Sequence, residues 1–332
     1  MAWIERYWQK VTPLAVLLYP LSLAFRLVVA ARRVLYRAGL LHRTRLPVPV
    51  IVVGNINAGG TGKTPLVLWL AAFLAGRGMR PGIVSRGYGG RSKDARAVQP
   101  DSDPALVGDE PVMLARRGAA PVWVGSDRIA AAQGLLAAHP ACDVIVCDDG
   151  LQHYRLARDM EIAVVDGVRG FGNGWMHPAG PLREPRARLA SVDAVVVNGG
   201  RPAEMLIGAP AILEMTLRGE RFRNLLDPAR CVGAEHFSGR KVHAVAGIGH
   251  PQRFFAHLTQ LGLDVTGHAF PDHHPYTGAD LAPCDGHDVI MTEKDAVKCH
   301  GFATARWWTL IVDADVDSAL GDAVLHGIER SS

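Results

Sequence analysis

The feature that leaves this chain the fewest options is a strand running directly into a glycine-rich loop, a Lys-Thr pair and a helix. Leu46-Pro-Val-Pro-Val-Ile-Val-Val53 reads as a buried strand. Gly54-Asn-Ile-Asn-Ala-Gly-Gly-Thr-Gly-Lys-Thr64 carries it into the helical run Pro65-Leu-Val-Leu-Trp-Leu-Ala-Ala-Phe-Leu74. That order is the arrangement of a phosphate-binding P-loop. Asn57, Ala58, Gly59, Gly60, Thr61, Gly62, Lys63 and Thr64 would wrap an anionic phosphate with backbone N–H groups and a helix N-terminus. Lys63 would reach the β- and γ-phosphates, and the Thr64 hydroxyl would join a magnesium shell. The usual first glycine of such a loop is Asn57 here. Asparagine tolerates the left-handed backbone region better than most residues, so the position reads as a variant of the loop.

Strand and helix continue to alternate. Gly82–Ser85, Val122–Val124, Asp143–Cys147, Ile162–Asp166 and Ala194–Asn198 read as strands of a mostly parallel sheet with crossover helices, which places sites at the strand C-termini. Asp148 and Asp149 follow four apolar residues and form a candidate carboxylate pair for a metal, directly or through water. From Lys241 a second, smaller α/β alternation begins: Val242–Ala246, a helix from Pro251 to Leu261, Leu263–Phe270, Val289–Thr292 and Thr309–Asp313.

Other polar residues gather in loops. Arg86 and Tyr88 lie in Ser85-Arg-Gly-Tyr-Gly-Gly90, which is also a plain turn by composition. Asp109 lies in Gly108-Asp-Glu-Pro111, where an ordinary helix cap is equally open. Gln152, His153 and Arg155 follow the Asp pair, while Arg183 and Glu184 stand between two prolines. In Phe270-Pro-Asp-His-His-Pro-Tyr276 two histidines lack a spaced third ligand, which favours an acid/base or substrate role over a metal site.

Charge is unevenly placed. Residues 1–50 hold eight Lys/Arg against Glu5, so they carry +7 of a net +4, and the rest of the chain is at −3. The basic excess flanks an apolar run, which points to a membrane surface and away from nucleic acid. Val11 to Phe25 is uncharged for 15 residues, short of the ~20 needed to span a bilayer. Thr12-Pro13 starts a helix, Pro20 predicts a kink, and Arg26, Arg33 and Arg37 share a stripe with Arg32 beside it. This is the pattern of a helix lying in an anionic headgroup layer, with a span and a helix capping the protein's own core as alternatives. The arginines stand where a small-residue cleavage site would sit in a secretory signal. Five scattered cysteines without a CxxC suggest reduced thiols, with neither a disulfide framework nor a zinc site.

Taken together, Gly59-Gly-Thr-Gly-Lys-Thr-Pro65, Ser85-Arg-Gly-Tyr-Gly89, Gly108-Asp-Glu-Pro111, Asp148-Asp-Gly-Leu-Gln-His-Tyr-Arg155, Gly170-Phe-Gly-Asn-Gly-Trp175, Ala179-Gly-Pro-Leu-Arg-Glu184, Ala246-Gly-Ile-Gly-His-Pro251, Asp272-His273 and Met291-Thr-Glu-Lys-Asp-Ala-Val-Lys298 resemble the tetraacyldisaccharide 4'-kinase family over nearly the whole chain. The resemblance implies an ATP- and Mg2+-dependent kinase acting on the 4' hydroxyl of tetraacyldisaccharide 1-phosphate, a lipid A precursor. It implies a position at the cytoplasmic face of the inner membrane, held by an N-terminal helical segment (1–46). A P-loop kinase domain (47–238) and a smaller C-terminal α/β domain (239–332) would enclose the site between them.

By the same resemblance Lys63 would stabilise the transferring phosphoryl, Thr64 and Asp148 or Asp149 would manage magnesium, and Glu184 would support metal or substrate. Asp109 with His273 would accept the hydroxyl proton, His273 being favoured over His274 as the more characteristic of the family. Arg86, Tyr88, Gln152, His153 and Arg183 are substrate candidates, and for Glu293-Lys294-Asp295 nucleotide contact and interdomain contact are both open. The competing class is a membrane-attached P-loop ATPase switch, which would have no use for a second domain delivering a histidine to the cleft.

Overall fold

The computed structural model describes residues 7–200 and 208–330. Glu5 and the first six residues of the 1–46 segment lie outside the described residues. The strands of the first half are β1 (Val50–Gly54), β2 (Pro81–Ser85), β3 (Arg96–Val98), β4 (Val122–Val124), β5 (Val144–Asp148), β6 (Met160–Asp166) and β7 (Ala194–Asn198). They are followed by β8 (Ile212–Asn224), β9 (Cys231–Val232), β10 (Lys241–Ala246), β11 (Asp264–Ala269), β12 (Asp288–Thr292) and β13 (Trp307–Val316). The longer helices are α1 (Pro13–Arg37), α2 (Lys63–Gly76), α3 (Asp109–Arg117), α4 (Arg128–Ala138), α5 (Pro251–Gln260), α6 (Glu293–Cys299) and α7 (Ala319–Glu329).

All the strands belong to one hydrogen-bonded sheet in the order β11-β10-β12-β13-β8-β7-β6-β1-β5-β2-β4-β3, with β9 paired to β8. The β7-β6-β1-β5-β2-β4 stretch is parallel throughout, and β11-β10-β12-β13 is a second parallel block. The antiparallel pair β8/β13 joins the two blocks. Helices cover both faces, as a parallel sheet requires, because alternate side chains of each strand point to opposite sides. Ile51 and Val53 enter the core beneath α2, while Val50 and Val52 enter the one beneath α4.

Two details depart from the sequence reading. The first strand begins at Val50, not Leu46, because Pro47 and Pro49 have no N–H to give a central strand. The thirteen-residue β8 escaped notice: its burial alternates along a half-exposed ribbon, and it lacks the continuous apolar run of the other strands. Helix α1 runs from Pro13 to Arg37, with Pro20 inside it. Thr12 caps it as expected, its hydroxyl accepting from Ala15 N at 3.2 Å. The C-terminal α7 returns to the first half, where Leu320, Val324 and Ile328 complete the core around α2.

Candidate active site

The glycine loop leaves β1 at the centre of the parallel block and turns into α2. Asn55 Nδ2 donates to Gly59 O at 3.2 Å and to Thr61 Oγ1 at 3.3 Å, closing the loop on itself. Gly62 has φ +90°, and a Cβ there would meet Asn198 Nδ2 at 2.5 Å, so the position excludes a side chain twice over. Asn198, at the end of β7, holds the loop by donating to Thr61 O at 3.1 Å, and Arg169 donates to Gly60 O at 3.0 Å.

Asn57 is not left-handed: among the described non-glycine residues only Asp149 and His273 have positive φ. It forms a bridge with Leu182 instead, and its side chain donates to Gly170 O at 2.7 Å. Ala58 N donates to Pro181 O at 2.8 Å beside it. The variant residue therefore ties the loop to the 170–182 segment, a role for which a side-chain amide is needed and glycine is unsuited.

The two aspartates are in different states. Asp148, at the end of β5, is buried; its Oδ2 faces the Ser85 hydroxyl at 3.4 Å and its Oδ1 has no partner. Burial, with Glu110 nearby, pushes its carboxyl up to about 7. Asp149 turns to φ +50° and meets Lys63 Nζ at 3.4 Å and Arg183 Nη1 at 3.1 Å. Burial would raise it as well, but those two cations hold it down at about 2. Glu184 is buried and saturated: Gln152 Nε2 donates at 2.9 Å, the Tyr154 hydroxyl at 2.5 Å, and Arg188 Nε lies at 3.3 Å. Gln152 also donates to Asn55 O at 3.0 Å, which links this cluster to the glycine loop.

Across the sheet ends, His273 from the second half meets Asp109 at the start of α3. Its Nδ1 lies 2.9 Å and 3.1 Å from the two carboxylate oxygens. Burial alone would raise Asp109, yet the hydrogen bond from His273 and the charges of Lys294 and Lys298 bring it below the usual carboxylate value. Burial alone would lower His273, and the bond to Asp109 more than offsets that, so its imidazole sits above its ordinary value. Tyr88 presents its ring edge-on to His273 at 5.1 Å, while Arg86 is exposed at the end of β2. His153 lies just past the Asp pair, its Nε2 buried without a partner, and burial beside Arg128 lowers it to about 4.

Between nucleotide and interdomain contact, the two roles left open for Glu293-Lys294-Asp295, the observed side-chain partners all come from the protein itself. Lys294 lies 3.3 Å from Glu110, 2.9 Å from Asp272 and 3.2 Å from His273 Nε2. Its neighbour Glu293 pairs with Arg117 at 3.0 Å, and Asp295 accepts from Gly247 N at 3.0 Å and from the Thr292 hydroxyl at 2.6 Å. Through Glu293 and Lys294 the motif ties the second half of the chain to Arg117 and Glu110 in the first. Its spacing at the start of a short helix was visible, but Glu110 and Arg117, its partners in the first half, are more than a hundred residues away in sequence.

The tetraacyldisaccharide-1-P 4'-kinase family model matches residues 14–329. A tetraacyldisaccharide 4'-kinase of Azoarcus sp. strain BH72 is 54% identical over 325 residues, covering 98% of this chain and 95% of that one. One from Aromatoleum aromaticum is 55% identical over 323 residues, covering 96% and 95%. Among solved structures, the "apo" form of LpxK from Aquifex aeolicus in complex with ATP superimposes with a TM-score of 0.81 at 28% identity, over 95% of this chain and 99% of that one. With its glycine loop, paired aspartates and cross-sheet Asp-His contact embedded in a match of that extent, the chain belongs to the tetraacyldisaccharide 4'-kinase family.

Proposed function

We propose that this protein transfers the terminal phosphoryl group of ATP to the 4' hydroxyl of tetraacyldisaccharide 1-phosphate, in lipid A biosynthesis. The observation that carries the reading is a phosphate loop and a histidine–carboxylate pair carried on one sheet, with Glu110, next to Asp109, near enough to Asp148 to help raise its carboxyl. Phosphoryl transfer asks mainly for positioning and charge neutralisation, and this cleft supplies both. Lys63 stabilises charge on the transferring group, with Asp149 and Arg183 fixing where its ammonium points.

The donor set fits a hard divalent cation. Buried Asp148 has its Oδ1 unpartnered, and burial holds its carboxyl up at about 7 even with Lys63 and Arg128 nearby, so it offers the hard oxygen donor that such an ion takes. Thr64 and Asp148 would hold Mg2+, which when bound neutralises phosphate oxygens. Asp149 and Glu184 support that arrangement through the partners described above. His273 is the more exposed member of its pair and Asp109 the buried one. The pair accepts the hydroxyl proton with Asp109 stabilising the imidazolium that forms. Arg86, Tyr88, Gln152, His153 and Arg183 contribute to the acceptor side.

Helix α1 favours a seat at the membrane. An 18-residue window has mean hydropathy 2.1, and only 11% of that window is buried. At 25 residues the helix is ~38 Å long, enough to cross a ~30 Å hydrocarbon layer. One side of it is nonetheless docked on the body: Ser22 Oγ donates to Met176 O at 2.9 Å, and Arg33 donates to Ser191 at 3.2 Å. A helix fixed along its length to a polar body is better placed lying in the headgroup layer of the inner membrane's cytoplasmic face than passing through it.

Incubation with labelled ATP, Mg2+ and the disaccharide 1-phosphate in mixed micelles should yield the 4'-phosphorylated lipid. ATP hydrolysis that ignores the acceptor would favour an ATPase switch instead. The pair has its own signature. Because His273 is raised above its ordinary 6.5 and must be neutral to accept a proton, activity rises with pH through that raised value. Asp109→Asn removes the interaction that raises it, so kcat/KM should drop by about 10²–10⁴-fold and its acidic limb should move to lower pH. An unmoved limb in a folded variant would separate Asp109 from His273.

A further inference from the structure

Outside the cleft, two histidines and a cysteine that no step above uses come together on the outer edge of the sheet. His243 lies on β10, His268 on the edge strand β11, and Cys284 in the turn before β12. One ligating atom from each lies within 4.8 Å of the others. His243 and Cys284 are buried and His268 is half-buried. His243 Nδ1 and His268 Nε2 are 2.9 Å apart, and their rings stack at 5.0 Å. His287 stacks on the other side of His243 at 4.8 Å, placed there by the Cys-Asp-Gly-His turn in which its N–H donates to Cys284 O at 3.1 Å.

We propose that His243, His268 and Cys284 form a zinc(II) site, with His287 covering its outer side. The donor chemistry selects the cation: two imidazole nitrogens and a thiolate suit zinc, whereas magnesium and calcium need oxygen donors that this set lacks. The spacing is close to what zinc demands for three of its four tetrahedral positions, the fourth falling to solvent. Tetrahedral Zn–N and Zn–S bonds of ~2.0–2.3 Å separate ligating atoms by roughly 3.3–3.8 Å. The two nitrogens must therefore open by a few tenths of an ångström and the sulfur close by about one, both within side-chain rotation.

On binding, the His243–His268 hydrogen bond is given up and the Cys284 thiol loses its proton to solvent as the Zn–S bond forms. The ion would clamp edge strand β11, the strand that leads into Asp272 and His273, to its neighbour β10 and to the 282–287 turn. Linear spacing conceals the site because its ligands are 25 and 16 residues apart and meet only through parallel strand pairing.

Cobalt(II) reports the coordination directly. Full-length protein without an affinity tag is stripped with chelator, supplied with Mg2+ and ATP to occupy the cleft, and titrated with cobalt(II). The expected result is one equivalent bound with thiolate-to-cobalt charge-transfer absorption and tetrahedral d–d bands, both erased by stoichiometric zinc(II). Cys284→Ser should abolish the charge-transfer band, and His268→Gln should weaken binding by at least about tenfold. A wild-type protein without the band overturns the proposal. So does a band that survives Cys284→Ser, which would move the metal to another thiol such as exposed Cys231. If Cys284→Ser does not fold, His268→Gln decides alone: its position on an edge strand tolerates glutamine, and unchanged cobalt affinity there rejects the site.

Discussion

Helices α1 and α2 are both apolar, yet they are used in opposite ways. In α2, Leu66, Val67, Leu70, Ala71 and Leu74 are fully buried, and the helix is enclosed by sheet, α3 and α7. In α1 only Ala15 and Ser22 are buried, while Leu17, Leu27 and Val28 stand 76%, 70% and 65% exposed. The difference lies in partners: α2 sits under β1 with further helices closing over it, and α1 meets the body along one side only. Burying a leucine is worth ~1.5–3 kcal/mol, so α2 contributes to folding what α1 leaves available for a second apolar phase. The exposed face of α1 is also far larger than scattered surface residues produce, which marks it as an interaction surface.

Substitutions can break that contrast. The largest effect should come from Leu70→Asp, which buries an unpaired carboxylate against the central strands. Loss of more than about 4 kcal/mol is expected, read as absence of a cooperative unfolding transition or of soluble protein. The same change at Leu17 should leave denaturant stability within ~0.5 kcal/mol while lowering liposome binding. Equal destabilisation at both sites would mean that α1 is packed as α2 is.

Next in size is the loop that α2 supports. Lys63→Ala should lower turnover by at least about 10²–10³-fold with the fold intact, because a charge aimed at the transferring phosphoryl is lost. Near-normal phosphorylation by a folded variant would remove Lys63 from the mechanism.

Smaller still is the electrostatic part of α1. Arg26, Arg32, Arg33 and Arg37 changed together to Gln should release part of the protein from anionic vesicles, at ~1 kcal/mol for each arginine that faces lipid. Added salt should reproduce the release, and the apolar face should retain the remainder. Arg32 already lies over the Tyr36 and Tyr154 rings, and Arg33 bonds Ser191, so these two should count for less than Arg26. The smallest effect belongs to Ser22→Ala. It loses the bond to Met176 O and the 3.0 Å bond from Ala179 N, and should cost ~1–2 kcal/mol of α1 docking, seen as faster proteolysis within 13–37.

What could be read from the amino acids alone was whatever is written in contiguous stretches. The glycine loop with Lys63 and Thr64, the Asp148-Asp149 pair, the capped start of α1 at Thr12 and the parallel alternation all depend on neighbours within a few residues, where backbone geometry follows local chemistry. Family resemblance supplied the pairing of Asp109 with His273; spacing did not. Only the tertiary structure decided that Asp149 is claimed by Lys63 and Arg183 while Asp148 keeps an open oxygen, though the two are adjacent in sequence. It alone brought Lys294 between Glu110 and His273, carried α7 back into the core around α2, and turned Asn57 into a bridge to Leu182. The physical reason is common to all four: charge state, hydrogen-bond partners and burial depend on which strands lie side by side, and that order is set by crossover connections that no local window contains.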